Sequence, residues 1–600
     1  MEPFESGEHG NPHFSAKRAR QSTADQEPSR PRKRNATACQ VCRARKTKCD
    51  NKKPRCSYCQ SIGASCEDWS NEPVRSAPDN QAVLDRIERL ERTLLESSRY
   101  FQPSALQCRS SSQTASSASR SINVAKASTF QSNPQFFTVE SVLSWPIFKR
   151  QFDSSLNLRE LMTNPDSGNL DHLSPQSSGK NQNLMGVELE SCSNLLDKFF
   201  GRIHIKNPIL DEKEIRQWAR EISFNGIGWG SRSCLVLLLC ALGSISEDFP
   251  PKDPIEVPKC CKASDDYQLA EVWFGASQKR IGTLLSNGGG ILEAQCFFFS
   301  AVYLMHTFRP FSAWPLFLQA LACCQTFQCF SKSAADVVFP PQEFLEDGPG
   351  GRSEESVYWT CFKSELEIRF DLSLPGFNAA NLTYPDFLPS PPLESLQNQD
   401  QAWYFYLAEI ALRRLANQIL SDFLPFNSPD SICDLTSIAT RLSDFESQAE
   451  QWSKILPPEV DIHTGHDKDI LRFILKGHLQ NCYESMYWPF IVQAINWPQT
   501  RDRSLDYIVR KGLQVCVDRI WVNVPGFKHR HHGTWGMMRA CTRSALVLLA
   551  AKRCNELTAL LCIGWKEAVQ QVIGLLEFWR GDCGDAENRR DILLTALRGF

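Results

Sequence analysis

Six cysteines between residues 39 and 66 form a comb, Cys39-x2-Cys42-x6-Cys49-x6-Cys56-x2-Cys59-x6-Cys66, whose second half repeats the spacing of the first. Thiolates at Cys-x2-Cys spacing can chelate one ion, and soft sulfur selects zinc among the common structural metals. Four thiolates fill one tetrahedral site, so six cannot build two separate four-sulfur sites. Six suffice if two thiolates bridge a pair of ions. The repeat suggests Cys39, Cys42, Cys49 and Cys56 around one Zn2+, and Cys56, Cys59, Cys66 and Cys39 around the second. Cys39 and Cys56 would then bridge. An iron–sulfur or redox centre is the competing chemistry, but six thiolates saturated by structural metal leave no open position for catalysis. So small a unit lacks an adequate hydrophobic core, and its metal-free form is expected to be unfolded.

The comb sits in a basic setting. The 600-residue chain has a net charge of −2, yet residues 1–66 carry 14 Lys+Arg against 6 Asp+Glu, and the remainder 52 against 62. A small basic head on a mildly acidic body fits contact with a polyanion through the head. Ahead of the comb, residues 1–34 read as a disordered basic tail. Lys17, Arg18 and Arg20 form one basic cluster, and Arg32, Lys33 and Arg34 lie in a second. Such a pair looks like a bipartite nuclear import signal, and a tail that only strengthens phosphate attraction is the plainer reading.

After the comb, residues 67–80 form a polar linker. Within residues 81–97, Val83, Ile87, Leu90 and Leu94 are spaced four, three and four apart amid mixed charge. That is the stripe of a short dimerising coiled coil, against a surface helix packed on its own chain. Residues 98–135 are serine-rich, with ten serines in 101–132, and read as a disordered linker.

The stretch Ala38-Cys-Gln-Val-Cys-Arg-Ala-Arg-Lys-Thr-Lys-Cys-Asp50, then Pro54-Arg-Cys-Ser-Tyr-Cys59 and Cys66, resembles the Zn2Cys6 binuclear cluster of fungal transcription factors. All six spacings fit, as do the basic residues after the second cysteine and the proline before the fourth. The resemblance implies a nuclear, zinc-dependent regulator of RNA polymerase II genes that binds double-stranded DNA. It places Lys46 and Arg45 at base-reading positions and implies a CGG-like triplet. Arg and Lys are the side chains that read guanine in the major groove. Arg43, Lys48, Lys52, Lys53 and Arg55 are then candidates for phosphate contact or helix packing. One module touches few base pairs, so a homodimer joined by residues 81–97 would double the site. Activation is the default sign that the family implies.

From residue 136 to 600 the chain reads as mostly helical, with apolar residues three and four apart. Helical patterns include Cys234–Ser246, Ile291–His306, Ala402–Phe423, Asp469–Trp488 and Thr534–Lys552, with proline and glycine marking gaps such as Pro489–Pro498. Strands alternating with helices are not evident, which leaves a doubly wound enzyme fold little support. The fold class expected is therefore a small binuclear zinc cluster plus a short coiled coil, followed by a large all-α domain. Leu143–Phe148, His204–Asp211, Tyr358–Glu367 and Tyr487–Phe490 resemble, more loosely, the helical regulatory domain of the same fungal regulators. In that family the domain answers to effector metabolites, coregulators or the transcription machinery, and no residue here identifies a ligand.

No catalytic constellation emerges, so an enzyme is not expected. The run His529, Arg530, His531, His532 reads as an exposed basic loop, and Asn287–Gly290 as a turn without the lysine of a phosphate loop. His204 and Lys206 read as a structural turn before an active-site pair. Glu365, Glu367 and Arg369 look like ordinary charges on a helix surface, with Glu365 and Arg369 able to pair. The body cysteines sit in apolar runs and read as reduced, buried small hydrophobes. The start of the chain is not a secretory signal, and the longest apolar stretch, Cys234 to Leu242, is far short of the ~20 residues that span a bilayer. An intracellular, reducing compartment with no membrane partner is expected. A scaffold whose zinc module binds protein, and an enzyme with a DNA-targeting head, are the weaker alternatives.

Overall fold

The computed structural model describes residues 50, 52, 55–62, 137–162, 191–250, 261–327, 349–374, 388–389, 400–423, 435–463 and 468–598. The chain divides into two compact units, Met1–Asp79 and Asn80–Phe600. In the first, the described residues form one short helix, α1 (Ser57–Ser61). The coiled-coil stripe from Val83 to Leu94, both basic clusters of the tail and the serine-rich linker lie outside the described residues.

The second unit is built of helices, and no strand occurs among its described residues. Its first half holds α2 (Val139–Leu143), α3 (Leu158–Met162), α4 (Ser191–Arg202), α5 (Glu212–Asn225), α6 (Ser231–Ile245), α7 (Asp265–Leu284), α8 (Ile291–His306) and α9 (Pro310–Cys324). The second half holds α10 (Pro349–Asp371), α11 (Asp400–Phe423), α12 (Leu435–Ile455), α13 (Ile470–Asn496), α14 (Asp506–Asn523), α15 (Thr534–Arg553), α16 (Trp565–Trp579) and α17 (Ala586–Arg598). Consecutive helices pack on one another: α6 on α7, α8 on α9, α13 on α14 and α14 on α15. No helix among the described residues is long and apolar enough to cross a membrane.

Two helices are buried along almost their whole length. Helix α6 is apolar all round and is buried along nearly its whole length, as such a helix must be. It meets α4 so closely at Gly243 that a Cβ there would stand 2.1 Å from the Leu195 carbonyl oxygen. Helix α15 is buried from Thr534 to Ala551 almost without interruption. Several helix starts carry their own caps. Asp211 accepts from the Lys213 and Glu214 amides at 2.8 and 3.2 Å, and Asp469 from Leu471 at 2.8 Å. Each such cap contributes roughly 0.5–2 kcal/mol.

The expected break at Pro489 does not occur. Helix α13 continues through Pro489 to Asn496. Proline inside a helix costs about 3 kcal/mol, but Met486, Tyr487, Trp488, Phe490, Ile491, Val492 and Ile495 are all buried around it. At roughly 1.5–3 kcal/mol for each fully buried large apolar side chain, their packing outweighs the lost hydrogen bond. The expected reduced cysteines match the structure: Cys234, Cys296, Cys482, Cys516 and Cys541 are buried thiols. Burial pushes the Cys482 thiol up to about 12.

Charge is nevertheless present inside. Glu484 on α13 is buried and accepts from Arg519 Nη2 on α14 and Arg543 Nη2 on α15, each at 2.8 Å, and from the Ser544 hydroxyl. Burial opposes its ionisation, but the two guanidinium groups hold the carboxyl below its usual range. Glu140 on α2 does the same for Arg539 and Arg589, at 2.6 Å to each, tying the start of the body to α15 and α17.

Removing one partner of such a network leaves buried charge without its counter-ion, a loss of about 3–5 kcal/mol. Glu484→Gln should therefore lower the unfolding free energy of the body by that order at neutral pH, read by denaturant titration. Because the folded pKa lies below the unfolded one, the stabilisation is complete above the ordinary glutamate range. It fades as pH falls through the folded value, so the gap between wild type and variant should close in acid.

Candidate metal centre

Cys56 and Cys59 bracket the first turn of α1. Cys56 is its N-cap, in extended conformation, and its Sγ accepts the Cys59 amide at 3.4 Å while its carbonyl accepts from Gln60 at 3.0 Å. The two-residue gap is what lets one sulfur cap the turn on which the other stands. An amide donated to sulfur favours the thiolate form that metals need. Both residues are 0% exposed.

A second device holds the turn. Asp50 accepts from the Ser57 amide at 2.9 Å and from the Ser57 hydroxyl. Those two bonds hold its carboxyl below the usual range. The sequence reading missed this pair; its one signal was an aspartate directly after Cys49 and a serine directly after Cys56. Lys52 Nζ lies 3.7 Å from Asp50 and its side chain is 73% exposed, a surface contact of small energetic value. Arg55 is also exposed.

Cys39, Cys42, Cys49 and Cys66 lie outside the described residues, as do Arg43, Arg45, Lys46, Lys48 and Lys53. Among the described residues no group of three metal-ligating side chains forms. The donors that are described fit zinc: two buried cysteines at one turn, with the Cys56 sulfur accepting an amide. Cys56 and Cys59 would contribute two thiolates to the cluster, and zinc would supply the cross-links that a core supplies elsewhere.

The body candidates fall differently. The run at 529–532 is not an exposed loop: His529, Arg530 and His531 are buried and His532 is half-buried. Its charge finds a distant partner, since Arg530 Nη2 lies 3.0 Å from Asp582, and Nη1 donates to the His306 carbonyl at 2.9 Å. Glu365 is likewise no surface charge. It is buried and accepts from Trp314 Nε1 at 3.0 Å as well as from Arg369 Nη2 at 2.6 Å, so the expected pairing holds in a different setting. Glu367 pairs with Arg413 at 2.8 Å on the wall of a partly open cavity. His204 and Lys206 form a buried 3-10 turn in which His204 Nε2 accepts the Leu210 amide at 3.1 Å. Burial pushes that ring down to about 4, so it is neutral. Gly288 and Gly289, with φ of 81 and 88°, make the expected turn.

Residues 37–76 match the fungal Zn(2)-Cys(6) binuclear cluster domain. Over 80% of its length the chain is 24% identical to the putative transcription factor ecdB of Aspergillus rugulosus, covering 82% of that protein. Shorter stretches are 39% identical to the citrinin biosynthesis transcriptional activator mrl3 of Monascus ruber and to the regulatory protein CAT8 of Saccharomyces cerevisiae. They span 12% of this chain and 16% of mrl3, and 14% of this chain and 6% of CAT8. The capped Cys56–Cys59 turn lies inside the segment that matches the fungal cluster domain, and the chain is similar along most of its length to a putative fungal transcription factor.

Proposed function

We propose that the chain is a sequence-specific regulator of RNA polymerase II genes, with a head that holds two zinc ions through Cys39, Cys42, Cys49, Cys56, Cys59 and Cys66. The observation that carries this reading is the buried, amide-assisted Cys56–Cys59 turn inside a segment matching the cluster domain, flanked by the exposed Lys52 and Arg55. Cys39 and Cys56 bridge the two ions. Lys46 and Arg45 read bases in a CGG-like triplet. Arg43, Lys48, Lys52, Lys53 and Arg55 hold phosphates or pack the reading helix. Val83, Ile87, Leu90 and Leu94 join two copies, so the full site is a pair of triplets. The clusters around Lys17 and Arg32 direct the chain to the nucleus. Activation is the favoured sign, and relatives in Monascus ruber and Monascus purpureus that carry the name of transcriptional activator support it.

Selection of random duplexes by the zinc-replete full chain tests this directly. Paired CGG-like triplets at one fixed spacing are expected, and Cys56→Ala should abolish the enrichment. A single triplet would remove the dimer, and no enrichment by a folded, zinc-loaded chain would overturn the reading.

The two classes of basic residue should separate by competition binding. Lys46→Ala should cost about 1–3 kcal/mol on the selected site and relax preference at one base pair. Lys52→Ala should weaken all duplexes alike and lower the slope of affinity against salt by about one ion.

A further inference from the structure

The body holds a partly open cavity of about 230 Å3 that none of the roles above uses. The 3-10 turn His204–Lys206, the segment at 531–533 and helices α10, α11 and α13 contribute to its wall. Apolar side chains line much of it, among them Met305, Phe317, Phe405, Leu412 and Phe473. Its charged groups are mostly committed to one another. Lys363 pairs with Glu409, and Arg413 bridges Glu409 at 2.9 Å and Glu367 at 2.8 Å.

Lys206 is the exception. It is 3% exposed and lines the cavity. Every other buried cation among the described residues has an acidic partner or, for Arg280, two backbone carbonyls. Lys206 Nζ has neither an ion pair nor a hydrogen bond among those residues, and burial alone pushes it down to about 7, with no carboxylate near enough to offset that. A buried ammonium without a counter-ion is costly and is kept where something else pairs with it.

A second donor stands in the same wall. The Gly533 amide donates to His531 Nδ1 at 3.1 Å, which places the neutral ring's proton on Nε2. That Nε2–H finds no acceptor among the described residues. Gly533 permits this contact, because a Cβ there would lie 2.9 Å from the His531 ring. His306, His529, His531 and the half-buried His532 all feel the charge of Lys206, and desolvation holds their rings neutral.

One unpaired cation, one unpaired N–H donor and a largely apolar lining together describe the complement of a monoanion with a hydrocarbon body. We propose that the cavity binds a small carboxylic acid, its carboxylate beside Lys206 and His531 and its apolar part against Phe405, Leu412 and Phe473. An inorganic anion would leave the apolar surface unfilled, and a dianion would overmatch a single unpaired ammonium. The binding site stands on this geometry; its use as an effector site rests on the regulator reading above.

Calorimetry on the full chain without DNA would compare straight-chain acids from butanoate to decanoate, and phenylacetate, with their neutral amides and with sulfate. At least one acid should bind about tenfold or more tightly than its amide, the scale of one charge-assisted hydrogen bond, and sulfate should not compete. Lys206→Met should lose binding by a similar factor while melting no lower than wild type, since it keeps the stem and removes the unpaired charge. A lysine that merely supports the fold would instead lower the melting point. Equal affinity for acid and amide, binding of sulfate alone, no acid binding at all, or unchanged affinity in Lys206→Met would each overturn the proposal. If that variant does not fold, Ala416→Phe, which fills the cavity, should abolish acid binding, and retained binding would overturn it equally. Acid binding that persists when duplex selection fails would remove the effector role and leave the site.

Discussion

Charge taken out of water must meet its opposite, and that constraint shapes both units of this chain. In the body it appears as arginines drawn onto Glu484 and Glu140 from helices far apart in sequence. In the head it appears as sulfur. Cys56, the N-cap of a five-residue helix, and Cys59 within it are both buried. Thiolates so placed repel unless a cation joins them. A metal bound between them would neutralise both and cross-link a segment too small to fold by apolar burial.

The same rule gives the body its specificity of packing. Helix α15 is buried almost throughout, yet carries Arg539, Arg543 and Ser544 inward. Each meets an acid supplied by α2 or α13. An apolar helix could rotate or slide among apolar neighbours at small cost. One that carries paired guanidinium groups can sit only where those acids are. Lys206 departs from the rule, and the departure falls on the wall of a cavity rather than in a packed layer.

Much of this was legible in residue order. The cysteine comb pointed to metal because thiolate spacing is local chemistry. The all-helical body was readable because apolar period three to four survives in helices with one wet face, such as α5 and α16. What failed did so because the answer was non-local. Pro489 read as a break, since its cost is local and the packing that overrides it comes from other helices. The run at 529–532 read as solvated because its counter-ion, Asp582, lies fifty-two residues further on. Glu365 read as a surface charge because Trp314 is not near it in sequence. The Asp50–Ser57 clasp was missed for the same reason on a smaller scale, and Lys206 looked like a turn residue because nothing in its own segment shows that it lacks a partner.

The central claim is that metal-held thiolates order a basic head so that it reads DNA. Genome-wide occupancy in the native cell, compared between wild type and Cys56→Ala at matched protein levels, tests it most directly. Wild type should show discrete occupied sites enriched in CGG-like triplets, and the variant should lose them with the body still folded. Unchanged occupancy in the variant would contradict it, because recognition would then not depend on the cluster.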